Sequence, residues 1–270
     1  MTTSPNGAAP ATAFTSSTTP EGAGQQPISL LYRQPTLLDR TRHAGLHVKP
    51  VTDWSVARDM NAVFVTGLEF PDVSREFTIA FVPSDRDAQG RTHVVPVALL
   101  GLRERENLYV AADGSWSARY LPAFLRRYPF AYARISQEQV GIMFDGAWTG
   151  FNQTEGNELL NAQGEATPHL DGVKQFLDRF EEESIRTRAM CDRLLELELL
   201  RGGEINGQLA NGEMVKADGF FMVDEDKLRN LPDAVVLELH RNGILGLLHA
   251  HLLSMGQVNQ LAARLLQHSA

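Results

Sequence analysis

Between residues 46 and 148 the apolar positions come in short β-branched or aromatic runs broken by turn residues, a pattern that predicts a strand-rich half. Residues 76–82 alternate in part and end at Pro83, residues 84–90 have turn composition, and the apolar run resumes over 93–102. These two runs are expected to form an antiparallel pair. A third run, 107–112, closes at Asp113-Gly114, a strong turn dipeptide, with residues 115–118 starting a return strand. Residues 120–128 read as a short helix with Pro122 in its first turn, stopped before Pro129. Residues 130–135 and 139–144 are expected to add strands to the same sheet.

The pattern then changes period. Residues 152–167 are polar, and Thr167-Pro168 supplies an N-cap followed by proline at the first helical position. A long helix is predicted from there, with Val173, Phe176, Leu177, Phe180, Cys191, Leu194 and Leu195 near one stripe and Gly202-Gly203 as its stop. Ala210-Asn211-Gly212 lies between 204–209 and 213–216 and predicts a β-hairpin, followed by a strand over 219–223. Leu231-Pro232-Asp233 opens a helix to His240, Asn242-Gly243 stops it, and 244–253 and 258–266 form two more. The fold class is therefore α+β: an antiparallel strand-rich N-terminal half, a long central helix, a β-hairpin and C-terminal helices. Residues 1–27 are rich in Thr, Ser, Ala, Gly and Pro and read as a disordered tail. The globular region is expected over 28–266, with a strand-rich part at 28–151 and a mainly helical part at 152–266.

Composition narrows the classes of function. The 270 residues are 43% hydrophobic and 21% charged, an ordinary globular balance with ample length for a core. No apolar stretch approaches the roughly 18 residues that cross a bilayer, so membrane insertion is not expected. A net charge of -8 opposes nucleic-acid binding. A single cysteine excludes an internal disulfide and a cysteine-cluster metal site. Residues 1–27 lack the basic and apolar regions of a secretory signal, which points to the cytoplasm; the alternative is a cell-surface protein reaching its place without such a signal.

Reaction motifs are not found. The glycines at 202–207 are followed by Gln208-Leu209 where a phosphate loop needs Lys and Ser or Thr. His249 and His251 differ by about 200° in direction on a helix and so cannot share one ion. Asp224-Glu225-Asp226 has the simpler role of capping a helix N-terminus, and Cys191 that of packing in the core. Catalytic residues, metal ligands and cofactors are accordingly not predicted. The densest aromatic and basic group is the candidate contact surface: Trp116, Arg119, Arg126, Arg127 and Tyr128, beside Tyr120. Planar cations and rings together suit anion, aromatic or protein recognition. On a short amphipathic helix they would equally bury Leu121, Phe124, Leu125 and Tyr128 and leave Arg126 or Arg127 solvated.

Several segments are recognisable in order: 96–102, 106–110, 113–116, 120–130, 164–168, 219–225, 231–233 and 249–256. Together they resemble the bacterial SapC family across about residues 28–266. The resemblance implies a family named for a protein associated with a bacterial surface layer, whose members often occur beside outer-membrane TonB-dependent receptors and halogenase-like flavoproteins. It implies no established catalytic residues, and it does not extend to the peptide-transport permease that shares the label. The expectation is a soluble, non-catalytic binding or accessory protein with a protein partner or small ligand. The alternatives are a surface-layer or export-associated structural protein and an enzyme with an unfamiliar site.

Overall fold

The computed structural model describes residues 12–13, 31–86, 90–136, 139–208, 212 and 214–268. The expected tail over 1–27 lies outside them, apart from Thr12–Ala13 (β1), which pairs in parallel with residues 217–218. In chain order there follow Pro35–Leu37 (β2), His47–Val48 (β3), Ala62–Phe64 (β4), Phe70–Val73 (α1), Ile79–Arg86 (β5), Thr92–Leu99 (β6), Ala123–Arg126 (α2), Phe130–Arg134 (β7) and Val140–Asp145 (β8). Then come Phe151–Asn152 (β9), Asn157–Glu158 (β10), Pro168–Glu196 (α3), Leu200–Gln208 (β11), Met214–Val223 (β12), Glu225–Arg229 (α4), Asp233–Arg241 (α5), Ile244–Ser254 (α6) and Val258–His268 (α7).

The main sheet is built on β5 and β6, the antiparallel pair expected from sequence, in register from Ile79↔Ala98 to Pro83↔Val94. Their apolar runs, 79–82 and 94–99, are buried throughout, as strands covered on both faces require. The strand does not end at Pro83. It continues to Arg86 across a register shift, where the missing proline N–H removes little from the ladder. β4 extends the sheet beside β6, and the β11–β12 hairpin joins it through Phe221↔Phe81. Gly203 on β11 faces the Phe220 ring, and a Cβ there would lie 2.2 Å from a ring carbon, so only glycine fits this crossing.

Three sequence expectations are corrected. Strands β7 and β8 pair with each other, but with β2 they form a separate three-stranded sheet. Their Phe130 and Phe144 side chains bury in a second core with Val48, Leu159, Leu160, Leu170 and Leu177 rather than in the main one. Residues 107–118 make no strands beyond a lone Val110↔Trp116 bridge. Asn107 Oδ1 accepts from Tyr109 N at 3.0 Å and Asp113 Oδ1 from Ser115 N at 3.0 Å, so local side-chain bonds replace a ladder. Finally, Gly202-Gly203 does not stop α3, which ends at Glu196. Glu198 adopts φ 51°, Leu199 N donates to Leu194 O at 2.9 Å and Glu198 N to Leu195 O at 3.0 Å. This closes a Schellman turn with a glutamate where glycine is usual, and Leu199 and Leu194 are both buried beside it.

α3 begins where expected, with Thr167 as N-cap and Pro168 at the first position. Its first turns bury Leu170 and Leu177 in the smaller core, and its later turns bury Phe180, Met190, Cys191 and Leu194 in the larger one. The helix thus bridges the two cores, and the α2 segment docks where they meet.

Candidate ligand pocket

Two carboxylates place the segment that carries the predicted contact residues. Glu76 accepts from Arg119 N (Oε1, 3.1 Å) and Tyr120 N (Oε2, 2.8 Å). Glu69, only 5% exposed, accepts through Oε1 from Tyr120 Oη (2.9 Å) and Ala123 N (2.7 Å), and through Oε2 from Thr66 N (2.8 Å) and Thr66 Oγ1 (3.0 Å). Pro122 at the N-cap has no side-chain oxygen, so Glu69 satisfies the first free N–H of α2 from elsewhere in the chain. The predicted helix over 120–128 is thereby shortened to Ala123–Arg126.

Among the five predicted contact residues, Arg126 and Arg127 line one cavity, and the other three stand apart from it. Trp116 is half-buried near the Tyr109 and Phe77 rings, and its indole N–H donates to Tyr120 O at 2.8 Å. Arg119 is exposed. Tyr128 belongs to the core: its hydroxyl donates to Asp145 Oδ2 at 2.9 Å, and Asp145, 0% exposed, also accepts from Gln34 N at 2.7 Å. Burial first, and then Asp145, push the Tyr128 pKa far up, so the phenol remains a donor. Tyr128→Phe is expected to destabilise the protein by about 1–3 kcal/mol, because a buried carboxylate loses a donor without loss of volume. Urea unfolding measures it; an unchanged midpoint would mean that the backbone donors alone hold Asp145.

The sequence expects Arg126 or Arg127 to be solvated, and the structure separates them. Arg126 is exposed and reaches across Tyr120 and Phe176, 5.6 Å from each ring centroid. Arg127 is 6% exposed, its guanidinium 4.1 Å from the Phe124 centroid and 4.9 Å from that of Phe180. Tyr32, whose hydroxyl donates to Phe130 O at 2.7 Å, presents its phenol oxygen to the same guanidinium. Arg127 Nε has no hydrogen-bond acceptor, and among the described residues no carboxylate lies within ion-pairing distance of Arg127.

The cavity these arginines line measures about 300 Å³. Phe130 adds to their side of it, and Pro168, His169, Gly172, Val173, Phe176 and Leu177 from the first turns of α3 form the other. Burial lowers the His169 pKa, which keeps its ring neutral at pH 7. Nothing in the sequence spacing joined α2 to residues 168–177; the one local signal was Thr167-Pro168, which marks the positive end of a long helix.

A second cavity of about 190 Å³ lies between α3 and the β5–β6 pair, walled by Phe64, Val95, Pro96 and Ile185. His93 Nδ1 lies 2.7 Å from Asp192 Oδ1 at its edge, and Arg188 pairs with Asp85 at 3.2 Å. Neither hydroxyl nor thiol beside this pair is activated by it: Ser84 Oγ donates to Asp85 Oδ1 at 3.0 Å, and burial pushes the Cys191 thiol pKa far up. The His249 and His251 rings also part company, His249 lying exposed against Leu245 O and His251 fully buried. Asp224 caps α4, accepting from Asp226 N and Lys227 N.

A family model of SapC matches residues 38–261, most of the chain and every residue that lines either cavity. The chain belongs to the SapC family. No curated protein and no solved structure matches it. In this SapC protein no helix among the described residues is long and apolar enough to cross a membrane. The α2 segment and the start of α3, which face each other across the larger cavity, both fall inside the SapC match.

Proposed function

We propose that this SapC-family chain is a non-catalytic binding or accessory protein that recognises its ligand or partner at the pocket between α2 and α3. One observation carries the reading: Arg127, a buried cation with no ion pair among the described residues, lines an open cavity that a second arginine also lines. Buried charges in folded proteins are ordinarily paired, so a buried arginine with no ion pair calls for an explanation. The carboxylates that hold the α2 segment and Tyr128, Glu69 and Asp145, each serve several donors and are committed to structure, which favours recognition over acid–base chemistry by these two groups.

Co-purification from native cells with mass spectrometry tests the reading, comparing the natural chain with Arg126→Ala. Arg126 is exposed, so its loss is expected to leave the melting temperature nearly unchanged. The co-purifying species should fall at least several-fold. Equal retention by both proteins would remove the pocket as the recognition surface.

A further inference from the structure

We propose that this pocket is a carboxylate site, built for a small monoanionic carboxylate carried on an apolar or aromatic body. The proposal rests on the reading of the pocket as the ligand site and adds the ligand's chemistry. It starts from a contrast within the fold. Two buried carboxylates that hold the same segment are fully served: Glu69 by four donors and Asp145 by Tyr128 Oη, Gln34 N and Ala147 N. Arg127 is as deeply buried and is not served. Phe124 and Phe180 cover the guanidinium, and Tyr32 provides one neutral oxygen, but Nε is left without an acceptor. Glu181 feels the Arg127 charge from the side of the other cavity, but no carboxylate among the described residues makes an ion pair with the guanidinium, and an anion in the pocket would supply that partner.

The cavity brings further donors to the same place. Arg126 stands at its rim. Across from it is the N-terminus of the 29-residue helix α3. Its first residue, Pro168, has no N–H, and Thr167 Oγ1 takes the Leu170 N–H, which leaves the His169 N–H without an acceptor among the described residues. The helix dipole adds partial positive charge there.

The remaining walls choose among anions. Phe130, Val173, Phe176 and Leu177 are apolar and would face the body of the ligand, not its charged end. The donors are few, and Glu181, which lines the other cavity, takes up part of the Arg127 field. That balance suits one negative charge and disfavours a phosphate dianion, which needs more donors and less apolar wall. About 300 Å³ lies at the small end of the roughly 300–1,000 Å³ typical of ligand pockets, so the body is small.

Titration calorimetry on the full chain with phenylacetate, phenylacetamide and inorganic phosphate tests the proposal. Phenylacetate is expected to bind saturably in the millimolar range or tighter, and the amide and phosphate at least tenfold more weakly. Arg127→Met should cut phenylacetate affinity at least tenfold while the ligand-free protein melts no lower, since an apolar side chain replaces a buried charge that has no ion pair. If that variant does not fold, Arg127→Lys, which keeps the charge but not the planar fork, should show the same loss of affinity. Equal binding of the amide, binding of phosphate alone, or phenylacetate affinity unchanged in the Arg127 variant would each overturn the carboxylate assignment. No binding of phenylacetate would overturn it too. In any of these cases, loss of the co-purifying species on Arg126→Ala would still uphold the pocket as the ligand site, so the two claims fail separately.

Discussion

Replacing Glu69 by Ala is expected to lower the unfolding free energy by about 3–4 kcal/mol, a larger effect than any surface substitution in the molecule. The side chain is a buried junction of four donors, two from Thr66, one from Tyr120 and one from Ala123. Truncation leaves the Thr66 and Ala123 backbone N–H groups buried and unpaired, and each carries its own desolvation cost. It also frees the first turn of α2, so amide exchange at Ala123 and Leu125 should speed up along with the fall in stability. Glu69→Gln, which keeps one carbonyl oxygen but turns an NH2 toward a donor, is expected to lose about half as much. Urea titrations of the three proteins decide the point. A Glu69→Ala loss below about 1 kcal/mol would show that α2 is held by the packing of Phe124 and Leu125 rather than by this carboxylate.

What could be read from the sequence was local. Thr167-Pro168 begins α3, Asp224 caps α4, and Asn242-Gly243 separates α5 from α6, because each of these signals is complete within four residues; β11 and β12 pair as the expected hairpin, with Asn211 of its turn outside the described residues. What escaped depended on distant partners. The edge of β8 is taken by β2, more than a hundred residues earlier, and no periodicity in 140–145 records that choice. The end of α3 was misplaced because Glu198 adopts a left-handed turn that the sequence offers glycine for four residues later. The pocket has the same character. Arg126 and Arg127 are identical neighbours in the sequence, and their different fates follow from Phe180, which arrives from α3 to cover one of them. The composition of the segment was legible, and the identity of the residue that matters most in it was not.

Acid is expected to weaken the fold through a residue that no sequence pattern singled out as titrating abnormally. His251 on α6 is 0% exposed and packs 5.1 Å from the Phe81 ring centroid. Its Nε2 accepts from Val223 N at 3.1 Å, so that nitrogen is unprotonated and Nδ1 carries the hydrogen of the neutral ring. Burial pushes its pKa down to about 4 from the usual 6.5. A second proton would place one N–H against another, in a site closed to solvent. The sign follows from the two states. Below pH 6.5 the unfolded chain takes up a proton that the folded chain refuses until about pH 4. Stability from this residue is therefore complete above pH 6.5 and is lost progressively as the pH falls to 4, by about 3 kcal/mol in all. His251→Gln offers an amide oxygen to Val223 N and does not titrate. Plots of unfolding free energy against pH for the two proteins are expected to diverge between pH 6.5 and 4, the natural chain falling more steeply by that amount. Parallel curves over this interval would mean that the ring ionises as freely in the folded state as in water and that its burial has been misjudged.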